Sequence, residues 1–159
     1  MQMLSSSLGE TVTLATYTGT HVPLIKVIEG SNPLRHCSEE GRGMPLNAAA
    51  PAKILIAYMP DKLRARFLRA VTFERYTKDT ITDMPSYLKE LEQARIDGYA
   101  LCKNELTPYC LAISVPIFKK TGEVLFALTA VGYIERISQV FDEILERLRA
   151  AAREIEAVL

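Results

Sequence analysis

Two apolar runs near the end of the chain restrict its fold more than any other feature. Cys110 to Phe118 and Glu123 to Gly132 both read as strands. Lys119-Lys120-Thr121-Gly122 joins them as a four-residue hairpin loop, with glycine where φ can be positive. Within the second run, Val124 to Val131 is apolar on both faces. Such a strand lies centrally in a sheet and needs helices over one side at least.

The preceding segments supply the rest of that sheet and its helices. Glu10 to Thr18 alternates like a strand, with Val12, Leu14 and Ala15 as its apolar positions. Thr18-Gly19-Thr20 turns, and His21 to Ile28 returns as the second strand of a hairpin. Pro33 to Cys37 is expected as a short third strand, followed by a polar loop over Glu39 to Gly43. Asn47 is expected to cap a helix reaching Tyr58, with Pro51 in or just past its first turn, where a missing N–H costs little. Pro60-Asp61 stops that helix and caps a second, which runs to about Val71 with Leu63, Phe67 and Val71 on one face. Asp83 caps a third, whose inner face is Tyr87, Leu88, Leu91 and Ala94 and whose natural end is Gly98. Tyr99 to Cys102 then starts another strand.

The closing helix carries the clearest pattern. Ile137, Phe141, Ile144, Leu148, Ala151, Ile155 and Val158 recur at helical spacing, with Glu143 and Arg147 paired on the outside. Val140, Leu145 and Ala152 widen the stripe, which suits packing on the chain's own sheet and could also serve a subunit seam. Strands, then helices, then strands and a last helix make an α+β domain on an antiparallel sheet.

Charge and cysteine usage exclude several functions. The 19 basic residues balance 19 acidic ones, without the basic stripe of a domain that grips nucleic acid unaided. Lys62, Arg64, Arg66 and Arg69 are interrupted by Leu63, Phe67 and Leu68, as on a solvated helix face. Cys37, Cys102 and Cys110 form no disulfide framework, the first residues lack a signal peptide, and no apolar run approaches a membrane span. A cytoplasmic location is expected. His36-Cys37 suggests a metal, yet adjacent strand residues face opposite ways and no further ligand lies at metal spacing. Phosphate loop, dinucleotide fingerprint and nucleophile elbow are all missing from the sequence, so no cofactor, no metal and no catalytic residue is expected.

Several strings, in order and over nearly the whole chain, carry a resemblance. They are Leu8-Gly-Glu-Thr-Val-Thr-Leu14, Gly41-Arg-Gly-Met-Pro-Leu-Asn-Ala48, Lys53-Ile-Leu-Ile-Ala57 and Thr80-Ile-Thr-Asp83. Glu90-Leu-Glu-Gln-Ala-Arg-Ile-Asp-Gly-Tyr99, Val115-Pro-Ile-Phe118 and Phe126-Ala-Leu-Thr-Ala-Val-Gly132 complete the set. The chain resembles the C-terminal effector-binding domain of the isocitrate lyase regulator (IclR) family of bacterial transcription regulators. That resemblance implies a GAF/profilin-like twisted antiparallel sheet, helices packed against it and a ligand cavity on one face. It implies residues 1–159 as a single effector-binding domain that works as a dimer or dimer of dimers. DNA binding would fall to an N-terminal winged helix-turn-helix domain outside this chain.

Carried over by position, the resemblance places a small organic or aromatic carboxylic acid among Leu46, Asn47, Ala49, Ala50, Pro51, Cys102, Ala112, Thr129 and Val131. Free N–H groups in a first helical turn, around Ala49 and Ala50, suit an anion. The sequence departs from the family here. Asn47 replaces a frequent histidine, Pro51 interrupts a Gly/Ala-rich opening, and Cys102 stands for an aspartate. Ala112 takes a polar or cysteine position and Val131 a frequent serine. The expected cavity is therefore more apolar than usual, and favours a ring or aliphatic tail with one polar end over a very small acid. An oligomerisation module with a filled core, or a small enzyme with a polar dyad in the cavity, are the competing readings.

Overall fold

The computed structural model describes residues 1–159. Five antiparallel strands, β1 (Thr11–Ala15), β2 (Leu24–Ile28), β3 (Ala100–Lys103), β4 (Cys110–Phe118) and β5 (Val124–Tyr133), form one sheet in the order β2-β1-β5-β4-β3. The doubly apolar run is β5, and it occupies the centre. Six helices cover the two faces: α1 (Gln2–Leu8), α2 (Ala50–Tyr58), α3 (Asp61–Ala70), α4 (Met84–Asp97), α5 (Ile134–Gln139) and α6 (Phe141–Glu156). The domain is α+β, as expected.

Period-two alternation divides the strands between the faces. Leu111, Ile113, Val115 and Ile117 of β4, with Leu128 and Ala130 of β5, pack against Leu4, Ile137, Ile144 and Leu148 from α1, α5 and α6. Ala127 of β5 and Ala15 of β1 face the opposite way, toward Ile54 and Leu55 of α2, Phe67 of α3 and Tyr87 and Leu91 of α4. Plain alternation along β1 puts Thr13 and Ala15 on that second face and Val12 and Leu14 on the first, while the register shift opposite Leu14 and Ala15 is absorbed by Ile25 of β2.

Several local expectations hold. Asp83 caps α4 by accepting from the Ser86 N–H at 2.8 Å, and Gly98 ends that helix with φ 75°. Gly122 turns the β4–β5 hairpin with φ 83°. Glu143 and Arg147 pair on α6 at 2.6 Å.

Others are corrected. Pro33 to Cys37 forms no strand: the backbone carbonyls of Leu34 and His36 are taken by the Arg136 guanidinium and the Thr11 hydroxyl rather than by a ladder. Asn47 does not cap α2; the chain first turns, with the Ala49 N–H bonded to the Pro45 carbonyl, and Ala49 takes the cap position. The closing helix is two helices, because Val140 leaves helical dihedrals (φ −124°, ψ 28°) and remains exposed. Ile137 and Ile144 are both buried on either side of the break, while Val158 beyond the helix end stays in solvent. Leu88 is exposed on α4, off the inner face of Tyr87, Leu91 and Ala94. Helix α1, which has no charged or capping side chain to announce it, was not anticipated.

Candidate functional site

The face of the sheet toward α2 is built from small side chains. Strand register sets Cys102, Ala112 and Val131 side by side across β3, β4 and β5. It sets Ser114, Thr129 and Thr13 in the next row across β4, β5 and β1. Above them, α2 opens with Ala49, Ala50 and Pro51. Alanine opposite alanine does not fill the ~10 Å between packed layers, so a cavity remains. Its volume is about 40 Å³.

Seven of the nine expected residues line it: Ala49, Ala50, Pro51, Cys102, Ala112, Thr129 and Val131. Leu46 and Asn47 do not. They hold the start of α2 in place from behind. The buried Tyr87 hydroxyl donates to the Leu46 carbonyl. The Asn47 amide donates to the carbonyls of Glu74 at 3.0 Å and Ile81 at 2.9 Å. Burial pushes the Tyr87 phenol far up, so it stays a neutral donor.

The backbone donors at the helix start are fewer than expected. The Ala49 N–H is already spent on Pro45, and Pro51 has none. Ala50, whose N–H bonds to no backbone carbonyl, lines the cavity.

Eight lining residues were not foreseen. Thr13, Leu24, Met44, Leu106 and Thr107 close the sides. Thr13 was legible, since it alternates with Val12 on a called strand. His36, Ser38 and Cys110 form the outer wall, and these were hidden because His36 and Ser38 sit on an irregular segment. His36 Nδ1 lies 3.9 Å from Cys110 Sγ. Beyond these two residues and Thr107 the surface opens into a shallow groove with Arg35, Arg42, Tyr109 and Tyr133.

Electrostatically the cavity is nearly neutral. Its lining contains no Asp, Glu, Lys or Arg. Burial, reinforced by the Glu105 carboxylate, pushes the Cys102 thiol up to about 11, so it is protonated near neutral pH. Burial also raises the Cys110 thiol. Behind Cys102, the fully buried Lys53 of α2 meets Glu105 at 2.7 and 2.8 Å and the Leu101 carbonyl at 3.2 Å. This pair pins the 104–109 loop, which carries the lining residues Leu106 and Thr107, to the helix. The hydroxyls of Thr129 and Ser114 pair at 2.9 Å under the cavity floor. The one pairing of a base with a nucleophile, His36 with Cys110 at 3.9 Å, has a thiol that burial raises rather than activates, and no group of three metal-ligating side chains occurs.

Comparison with known proteins agrees with this geometry. Residues 1–157 match the family described as "Bacterial transcriptional regulator IclR C-terminal". The HTH-type transcriptional repressor AllR of Escherichia coli K12 is 31% identical over 160 aligned residues. The alignment takes in 100% of this chain but 59% of AllR, so the chain spans little more than half that relative's length. Among solved structures, transcriptional regulator YaiJ superposes with a TM-score of 0.91 at 28% identity, covering 99% of this chain and 89% of that one. The C-terminal domain of E. coli KdgR gives 0.88 at 28% identity, over 99% and 92% of the two chains.

Proposed function

The chain belongs to the IclR family of bacterial transcriptional regulators, as its C-terminal domain, and from that premise we propose that it senses a small organic acid in the cavity between α2 and the sheet. The observation that carries the proposal is the cavity itself, half-enclosed, mostly apolar and bordered by a helix start with an unspent N–H at Ala50. A packed core would have filled it.

Its volume sharpens the ligand class. A water needs roughly 10–15 Å³ by this measure, and an apolar cavity of about 150 Å³ accepts benzene. About 40 Å³ therefore favours the short end of the organic-acid range. An aromatic acid fits only if the wall formed by His36 and Cys110 swings outward into the groove. Occupancy would bias the family's DNA-binding domain, supplied elsewhere in the protein, and self-association as a dimer or dimer of dimers belongs to the same proposal. So does a cytoplasmic setting; no helix of the chain is long and apolar enough to cross a membrane.

The test is steric. Ala112→Phe places a ring in the cavity and should abolish the thermal stabilisation that short carboxylic acids give the wild-type chain by mass action. Unchanged stabilisation in that variant would move the site elsewhere.

A further inference from the structure

The outer wall of the cavity carries chemistry that the small-residue floor does not. His36, Cys37 and Ser38 follow one another on the irregular segment before Glu39, and their side chains divide between two spaces. His36 and Ser38 line the cavity, while Cys37 lines the groove outside. The Thr11 hydroxyl holds the His36 carbonyl and fixes the stretch against β1. The Ser38 Oγ is buried and has no hydrogen-bond partner. A buried hydroxyl left unpaired is costly, and a ligand oxygen would relieve that cost. His36 is the one lining residue able to carry positive charge.

A carboxylate cannot enter a nearly neutral, apolar cavity alone, because an isolated buried charge is prohibitive. It needs a cation or a proton to accompany it. Resting on the reading that this cavity takes a small organic acid, we propose that His36 takes up a proton as the acid enters and, with the Ser38 hydroxyl, receives its carboxylate. The aliphatic end of the acid then lies toward Ala112 and Val131. Arg42, in the groove outside, makes no ion pair within the protein and draws anions to the mouth.

The surroundings of His36 set the sign of the coupling. Burial first and Arg42 second hold its imidazole below the ordinary histidine value, so it is neutral near pH 7. Facing it are the Cys110 thiol from β4, raised by burial, and the Cys102 thiol within the cavity, raised to about 11. Arg35 and Cys37 neighbour it on its own stretch, and Tyr109 and Tyr133 line the groove. Arg35 is occupied by Glu29 at 3.0 Å. No carboxylate lines either space to hold the imidazolium charged before the ligand arrives. A bound carboxylate pulls the imidazole back up. Between the free and bound values each ligand brings one proton, and affinity falls as much as tenfold per pH unit of increase. Below the free value His36 is already charged and affinity is flat.

The experiment titrates the purified chain with acetate, propionate and benzoate by calorimetry between about pH 6 and pH 8, in buffers of different ionisation heat. The imidazole resonances are followed by NMR; His21 is the only other histidine and serves as the internal reference. We expect uptake of about one proton per acid, with the His36 resonances moving to the charged form and those of His21 unmoved. His36→Gln should weaken binding about tenfold at the low end of that range and flatten the pH profile. Ser38→Ala should weaken binding by a smaller factor and keep the profile. If His36→Gln does not fold, the wild-type imidazole titration decides alone. Binding seen at the Ala112 and Val131 methyls with a silent His36, or with the proton carried by the acid itself, overturns the inference and leaves the sensing role intact. Failure of all three acids to move those methyls overturns both.

Discussion

The two faces of the sheet are made from the same strands and behave as different materials. Toward α1, α5 and α6 the strands present Leu111, Ile113, Val115, Ile117 and Leu128, and the buried polar groups there are Ser5 and Glu10, the latter paired with Arg136 of α5. Toward α2, the same strands present Ala112, Ser114, Thr129 and Val131, with Lys53 and Glu105 buried behind them. One face is filled by large side chains around a single buried carboxylate, Glu10, paired with Arg136. The other leaves space, hydroxyls and a buried ion pair. Selectivity resides in the second, whose core around Ile54, Phe67, Tyr87 and Leu91 also contributes to stability, while the first contributes stability alone.

The buried ion pair offers the hardest test of that division. Burial raises the Glu105 carboxyl above the usual carboxylate range despite Lys53 beside it, so desolvation outweighs the attraction. Such a pair breaks even at best, yet half of it is worse than none. Glu105→Leu alone should cost about 3 kcal/mol in denaturant unfolding, because it leaves the buried Lys53 ammonium with only the Leu101 carbonyl and the partly exposed Glu90 carboxylate at 3.5 Å. Combined with Lys53→Met the loss should largely vanish. The double variant should still weaken ligand binding, since the loop bearing Leu106 and Thr107 loses its anchor. A double variant as unstable as the single one would show that the pair contributes stability on its own account.

The filled face should respond in the opposite sense. Leu148→Ala on α6 removes a fully buried side chain and should cost about 2–5 kcal/mol. Ligand affinity of the remaining folded protein should be unchanged. A shift in affinity would mean that the two faces communicate through β4 and β5, and the division would fail.

The filled face was the more legible of the two in the sequence. Large apolar residues at period two in β4 and at helical spacing in α6 state which side is buried, and what escaped was the break at Val140 and the uncapped helix α1 that brings Leu4. The cavity floor was legible too, through family resemblance rather than periodicity: Ala112 and Val131 mean nothing until a neighbouring strand is known to place Cys102 beside them. The outer wall was not legible. His36 and Ser38 belong to a segment without periodicity, held by Thr11 and Arg136 from far along the chain, and no local rule foretells such contacts. Asn47 misled for a related reason. Its type suits a helix cap, but tertiary contacts with Glu74 and Ile81 claimed its amide.

The smallest effect lies under the cavity floor, where the two materials meet. Thr129 and Ser114 share one hydrogen bond at 2.9 Å, and Ser114 is fully buried. Thr129→Val keeps the shape but leaves the Ser114 hydroxyl without its partner, which should cost about 1–3 kcal/mol of stability. That loss has nothing to do with ligand. Removing both hydroxyls, Thr129→Val with Ser114→Ala, should restore most of it, since an apolar pair desolvates nothing. The double variant therefore isolates the ligand contribution. If Thr129 holds a polar atom of the acid, affinity in the double variant should still fall by about 1 kcal/mol, read by calorimetry. Full recovery of both stability and affinity would assign this hydroxyl pair to the fold alone. Recognition would then rest on the His36 wall and the Ala50 N–H.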